Sequence, residues 1–365
     1  MMRENESEPD SGPALGRPRR RLRLLIYLLI AVVAAGLGVV AVTLAQQDNP
    51  AALSTHLDQA QVEREVTPGL VDIRANLPYS NEVADNTGIV LSADGLVLTS
   101  NNDIAGSTSV QATLAGSSRT YTARVLGYDV TQDVALLQLE GATGLTAVTL
   151  GNSSQVTIGR QVLALGNAQG EGGVTPAAGI INALDRSINS GGVGAGVAEY
   201  LHGIEQTSAR VGPGDDGGPL VDSAGQVIGM ITTANTSSGQ LSTTGFAIPI
   251  NTAMAIAREI SNRQASSTVY LGEPGFLGVE VTTSTSRDRS GALVTGVIGG
   301  SPASRAGLAA GDVITGFNGL PVTSPTSLST FVQRYHPGDV VSVSWTAIHG
   351  ATHTTRITLG NGLFL

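Results

Sequence analysis

From about Val62 to about Thr244 this chain is a succession of short apolar runs, each cut off by Gly, Asn, Asp or Ser. Ile89-Val90-Leu91, Val97-Leu98-Thr99, Ala135 to Leu139 and Val227 to Ile231 are examples. Runs of this length, bounded by turn formers, are strands and not helices. The expectation is an all-β barrel or sandwich. The full 365 residues suffice for two domains with separate cores.

The N-terminal part obeys a different rule. Arg17, Arg19, Arg20, Arg21 and Arg23 precede Leu24 to Ala45, a stretch of 22 residues without a charge. As a helix that stretch spans about 33 Å, close to a hydrocarbon core of about 30 Å. The expectation is a single transmembrane helix at 24–45, with a cytoplasmic, disordered basic tail at 1–23 and the C-terminal domains outside the cell membrane. The competing reading is a cleavable signal peptide ending near Thr43-Leu44-Ala45, but a signal core of 7–15 residues is shorter than this run. Residues 46–61 read as a linker.

Composition excludes several classes. A formal charge of −9 and 4% aromatic residues argue against a nucleic-acid partner. All 20 basic residues are arginine, and there is no cysteine, hence no disulfide framework and no thiolate metal site. No metal and no organic cofactor is implied.

Five blocks carry a family resemblance. They are Thr87 to Val90 with Ala93 to Thr99, Asp129 to Leu137, Ala164 to Gly170, Gly212 to Leu220, and Gly245 to Pro249. In this order they resemble the HtrA (Deg-type) family of trypsin-like serine proteases with a C-terminal PDZ domain. The resemblance implies two six-stranded barrels with the site between them. It places the family's histidine at Asn102, its aspartate at Asp133 and its serine at Asp216. The oxyanion-hole positions fall on Gly214 and Asp216, and the wall of the specificity pocket on Gly245, Phe246 and Ala247.

Two of three catalytic positions are thus altered. A serine hydroxyl needs an imidazole to take its proton. The Asn102 amide does not titrate usefully, and an Asp216 carboxylate is a poor nucleophile whose charge repels an oxyanion. Asp133 is expected to hold Asn102 by a hydrogen bond. The alternative is a hydrolase using an Asp133/Asp216 acid pair. His202, the one histidine within the protease-like segment, reads as a surface residue.

The last ninety or so residues resemble a PDZ domain, a small β-sandwich with two helices. Phe276-Leu277-Gly278-Val279 matches the loop that binds a terminal carboxylate, and the strand near Val279 to Thr282 would accept a peptide by strand addition. Ser301-Pro302 and Ser324-Pro325 are helix starts. Leu328, Phe331, Val332 and Tyr335 form one apolar helical face, from which the family resemblance assigns Leu328 and Val332 to peptide contact. Asn251 is read as the N-cap of a helix running to Arg263.

The expected organisation is therefore mostly β: tail 1–23, transmembrane helix 24–45, linker 46–61, trypsin-like domain 62–263, hinge 264–274 and PDZ domain 275–365. The expected function is a membrane-anchored pseudoprotease that binds peptides, protein C-termini or unfolded envelope proteins. Serine-type endopeptidase activity by ancestry is the alternative. Assembly as a homo-oligomer or with active relatives is a third possibility.

Overall fold

The computed structural model describes residues 57–77, 82–105, 107, 109–167, 173–190, 199–212, 214–232, 244–284 and 290–361. The expected membrane helix, 24–45, lies outside them. Among the described residues no helix is long and apolar enough to cross a membrane.

The chain enters through helix α1 (Gln59–Val66), capped by Asp58, whose Oδ1 accepts from the Gln61 N–H at 3.1 Å. Val62 and Val66, one turn apart, are its buried residues. Strands β1 (Leu70–Leu77), β2 (Glu82–Val90), β3 (Leu96–Thr99), β4 (Ser109–Leu114), β5 (Thr120–Asp129) and β6 (Val134–Leu139) follow. They are ordered β5-β4-β1-β2-β3-β6, and pairing of β5 with β6 closes the ring. Inward residues such as Val71, Ile73, Val97, Val125 and Leu137 fill it.

A second barrel comprises β7 (Gln161–Gly166), β8 (Thr175–Ser190), β9 (Glu199–Thr207), β10 (Pro219–Asp222), β11 (Val227–Thr232) and β12 (Gly245–Pro249). It is closed in the order β10-β11-β12-β9-β8-β7. Val162, Ala164, Ile181, Leu220 and Ile231 pack inside it. A further apolar cluster joins both barrels to α1 and to helix α2 (Ile250–Ser261), through Leu70, Leu98, Leu163, Met230, Ala253 and Ile260. The cap of α2 is Pro249, not Asn251: no side chain caps it, and Asn251 instead bonds Asn152 Oδ1 at 2.7 Å.

Residues 264–274, read as a hinge, contain strand β13 (Val269–Leu271), which pairs antiparallel with β5. It ties the exit of α2 back onto the first barrel. Gly127 admits it: a Cβ there would lie 2.5 Å from the Tyr270 carbonyl oxygen.

The C-terminal module holds β14 (Gly275–Phe276), β15 (Val279–Thr283), β16 (Ala292–Val297), helix α3 (Pro302–Ala306), β17 (Val313–Phe317), β18 (Leu320–Pro321), helix α4 (Pro325–Val332), β19 (Val340–Thr346), β20 (Thr352–Thr358) and β21 (Gly360–Asn361). Both helix starts are as the sequence indicates: Ser301 caps α3, and Ser324 and Ser327 form a capping box on α4. Helix α4 ends at Val332, so Tyr335 lies beyond it. Its ring nevertheless meets Phe317 edge-on at 5.6 Å in the module's core.

Thr87 couples the two barrels. Its hydroxyl donates to the Gly214 carbonyl at 2.7 Å and accepts from the Asn167 N–H at 2.9 Å. Its N–H donates to the Asp216 carbonyl at 3.0 Å, and its own carbonyl accepts from Thr99 Oγ1 at 2.8 Å. Thr87 is 1% exposed, so partners left unpaired there are costly. Thr87→Val keeps the shape and deletes the hydroxyl. Denaturant unfolding is expected to show a loss of about 1–3 kcal/mol; a change within experimental error would show that the hydroxyl does not couple the barrels.

Candidate functional site

The first half of the site follows β3. Residues 100–105 make a single helical turn, with the N–H groups of Ile104 and Ala105 donating to the Asn101 carbonyl at 3.2 and 3.0 Å. This turn buries Asn102 and Asp103, which are 8% and 3% exposed.

Asp133 arrives from the connection between β5 and β6. Asp129 Oδ1 accepts from the N–H groups of Thr131 and Gln132 at 2.8 and 3.1 Å, an Asx turn that closes the hairpin. The last residue before β6 is Asp133 itself, at φ 53°, a left-handed conformation that aspartate tolerates better than most residues. Its Oδ1 accepts from Ser100 Oγ at 2.7 Å and from the Asn102 N–H at 2.9 Å. Its Oδ2 accepts from the Thr232 hydroxyl at 3.3 Å, across to the second barrel. The Asn102 side chain hydrogen-bonds the same carboxylate. Burial pushes the Asp133 carboxyl up to about 6, against these hydrogen bonds, which favour the ionised form.

The second half is the turn before β10. Gly214 and Gly217 adopt φ of 93° and 74°. A Cβ on Gly217 would lie 2.3 Å from the Thr87 carbonyl oxygen and 2.4 Å from Thr99 Oγ1. Only glycine permits that approach, which presses the turn against the end of β3. Gly166 does the same for Asp215, whose Oδ1 would be 2.5 Å from an added Cβ. Asp215 accepts from the Gly212 N–H at 2.9 Å, and burial raises its carboxyl to about 6 despite that bond.

Asp216 is half-buried at this junction. Its charge reaches Asp103: burial first, then the charges of Asp216 and Asp133, hold the Asp103 carboxyl well above the usual carboxylate range. Asp103 Oδ2 is buried without a hydrogen-bond partner. The structure thus gathers Asn102, Asp133 and Asp216 at one barrel junction and adds a third carboxylate, Asp103, that sequence reasoning missed. Its available signal was the polar trio Asn101-Asn102-Asp103 directly after a buried strand.

His202 stands exposed on β9, with Nδ1 2.8 Å from Ser187 Oγ, as read from the sequence. Both oxygens of Asp133 accept hydrogen bonds, from Ser100, Asn102 and Thr232. Among the described residues no group of three or more His, Cys, Asp or Glu side chains is arranged to hold a metal ion.

Gly245, Phe246 and Ala247 lie on β12 between β9 and β11. Gly245 and Ala247 are buried, Phe246 half-buried. Opposite Ala247 on β9 is Glu205, 3% exposed, with Oε2 lacking a partner.

In the C-terminal module, Phe276 and Leu277 are buried, and Gly278 turns the chain at φ 84°. A Cβ on Gly278 would lie 2.2 Å from the Ser301 Cβ, so the loop demands glycine. Val279 then opens β15, which has β16 on one side and ends the sheet on the other. Leu328 and Val332 on α4 face a cavity of about 110 Å³ that Leu277, Gly278 and Val279 also line. This is an edge strand beside an apolar helix face, the arrangement for strand addition.

Together these features define a trypsin-like two-barrel chain joined to a peptide-recognition module. Residues 86–230 match the family described as "Trypsin-like peptidase domain", and residues 275–355 match "PDZ domain". The chain is 34% identical to the serine protease PepD of Mycobacterium tuberculosis, over 96% of this chain and 80% of that protein. It is 30% identical to a probable periplasmic serine endoprotease, DegP-like, of Ectopseudomonas mendocina, over 93% and 76%. Among solved structures, the HtrA-type protease AlgW with a tripeptide aligns at TM-score 0.50 and 29% identity, covering 83% of this chain and 97% of that one. The chain belongs to the HtrA family of trypsin-like serine proteases with a PDZ domain.

Glu205 makes a pH prediction. Burial lifts its carboxyl from an ordinary 4.5 to about 8, with the Arg160 charge opposing. Below about 4.5 both folded and unfolded chains hold the proton. As pH rises towards 8 the unfolded chain releases it and the folded chain keeps it, so stability declines across that window. Glu205→Gln should match the parent at low pH and exceed it at pH 8 by on the order of a few kcal/mol. Parallel pH–stability curves for the two proteins would refute this.

Proposed function

We propose that this chain is a membrane-anchored pseudoprotease of the HtrA family, which binds peptides or unfolded envelope proteins through its PDZ domain. The observation that carries the reading is the pair of substitutions at the barrel junction. Asn102 stands where the resemblance places the histidine, and Asp216 where it places the serine, while the surrounding frame is kept. Loss of nucleophile or base alone costs about a million-fold in turnover, and loss of both about the same. The residual, about 10³–10⁴-fold over water, rests on binding and the oxyanion hole. At Asp216 the negative charge opposes even that residual.

Peptide binding is supported by the open edge of β15, the Gly278 turn and the AlgW–tripeptide likeness. Membrane anchoring is supported by the uncharged run Leu24 to Ala45 behind five arginines. The arrangement suits a scaffold, a regulator of active relatives or a chaperone-like factor.

A single experiment addresses both parts. Membranes from cells making the full chain are washed with alkaline carbonate and then treated with a fluorophosphonate serine probe. The chain is expected to stay in the pellet and take no label. Release into the wash would refute the anchor, and an adduct on folded chain would refute the loss of chemistry.

A further inference from the structure

The cavity beside the PDZ groove is not walled by the PDZ domain alone. Besides Leu328 and Val332 it is lined by Asn101 and Ile104 of the first barrel. Those residues belong to the turn that carries Asn102. The wall is held in place by Tyr128, which is buried in the barrel, stacks on Tyr270 at 5.6 Å and donates its hydroxyl to the carbonyl of Gln333, the C-cap of α4. Barrel and groove are therefore one surface at this point.

Asn101 is 3% exposed, and its side-chain amide nitrogen has no hydrogen-bond partner. A buried amide donor left unpaired is costly and uncommon. A peptide added to β15 supplies what is missing. Only one edge of an added strand pairs with β15; its other edge carries unpaired main-chain carbonyls. At about 110 Å³ the cavity is too small for a metabolite-sized ligand, which takes about 300–1,000 Å³. Its size suits one apolar side chain of an extended segment, flanked by backbone.

We propose that the peptide site is composite: Asn101, from the barrel, donates its side-chain N–H to a main-chain carbonyl of a peptide docked along β15. The inference rests on the peptide-binding reading given above. Its occupant is a peptide with a free carboxyl terminus, for the Gly278 turn, and an apolar last residue, for Leu277, Leu328 and Val332. A main-chain contact is indifferent to peptide sequence. Asn101 therefore sets how tightly peptides bind, while the groove side chains set which ones bind.

The test uses the full chain and fluorescein-labelled pentapeptides, Gly-Ser-Ala-Leu-Val and versions ending in Leu or Phe, each with a free carboxylate. Asn101→Ala is expected to weaken every peptide by about 2- to 10-fold, the range of one net hydrogen bond, without changing their order. Leu328→Ala is expected to change the order. Equal affinities for the parent and Asn101→Ala would overturn the composite site and leave peptide binding standing. Absence of binding to the parent would overturn both. A second measurement needs no variant: the Asn101 side-chain amide resonance should move when the Val-ended peptide is titrated into the parent chain. An unmoved resonance at saturation overturns the proposal.

Discussion

The Asp133 carboxylate is the contact on which the site's geometry depends. It is almost wholly buried, with its main chain in a left-handed conformation. It gathers donors from Ser100 and Asn102 on one barrel and Thr232 on the other. A buried carboxylate is tolerable only when its oxygens are satisfied. Here that demand fixes the backbone of the turn after β3 and the spacing of the two barrels. In the HtrA family an aspartate at this position belongs to a catalytic set. In this chain its hydrogen-bond partners are Ser100, Asn102 and Thr232.

The same frame explains how Asn102 and Asp216 are held at the junction. Asn102 is held by its own N–H and its side chain, both on Asp133. Asp216 is held by its carbonyl, which accepts from Thr87. Neither anchor depends on an imidazole or on a serine hydroxyl. The glycines of the turn, by contrast, are required by the close packing around them. The accumulated negative charge at Asp103, Asp133 and Asp216 would be a liability for stabilising an oxyanion, yet the junction accommodates it: burial and the neighbouring charges hold the Asp103 carboxyl well above the usual carboxylate range, and hydrogen bonds satisfy the Asp133 carboxylate.

The legible part of this structure is the part whose constraints are local. Gly217 and Gly278 are obligatory because an added Cβ would collide at once, so the motifs around them survive in the sequence. The Ser-Pro starts of α3 and α4 were readable because caps act within three residues. What was not readable came from distant pairings. Burial raises the Asp103 carboxyl first, and the charge of Asp216, more than a hundred residues away, raises it further. Thr87, an unremarkable threonine in a strand, couples two barrels through residues 127 positions apart. Residues 264–274 read as a hinge although they contain β13, because its partner, β5, lies far back in the chain. Asn101 carries no signal of its own beside Asn102, since its place on the wall of the groove exists only once the PDZ domain has folded against the barrel.

The central claim is that a scissile amide at this junction meets neither a nucleophilic oxygen nor a base. The most direct measurement incubates the full chain with reduced, carboxymethylated lactalbumin from about pH 4 to about pH 9 and counts fragments by mass spectrometry. The account predicts no cleavage above that of the substrate alone at any pH. Cleavage that disappears in Asp216→Ala would contradict it.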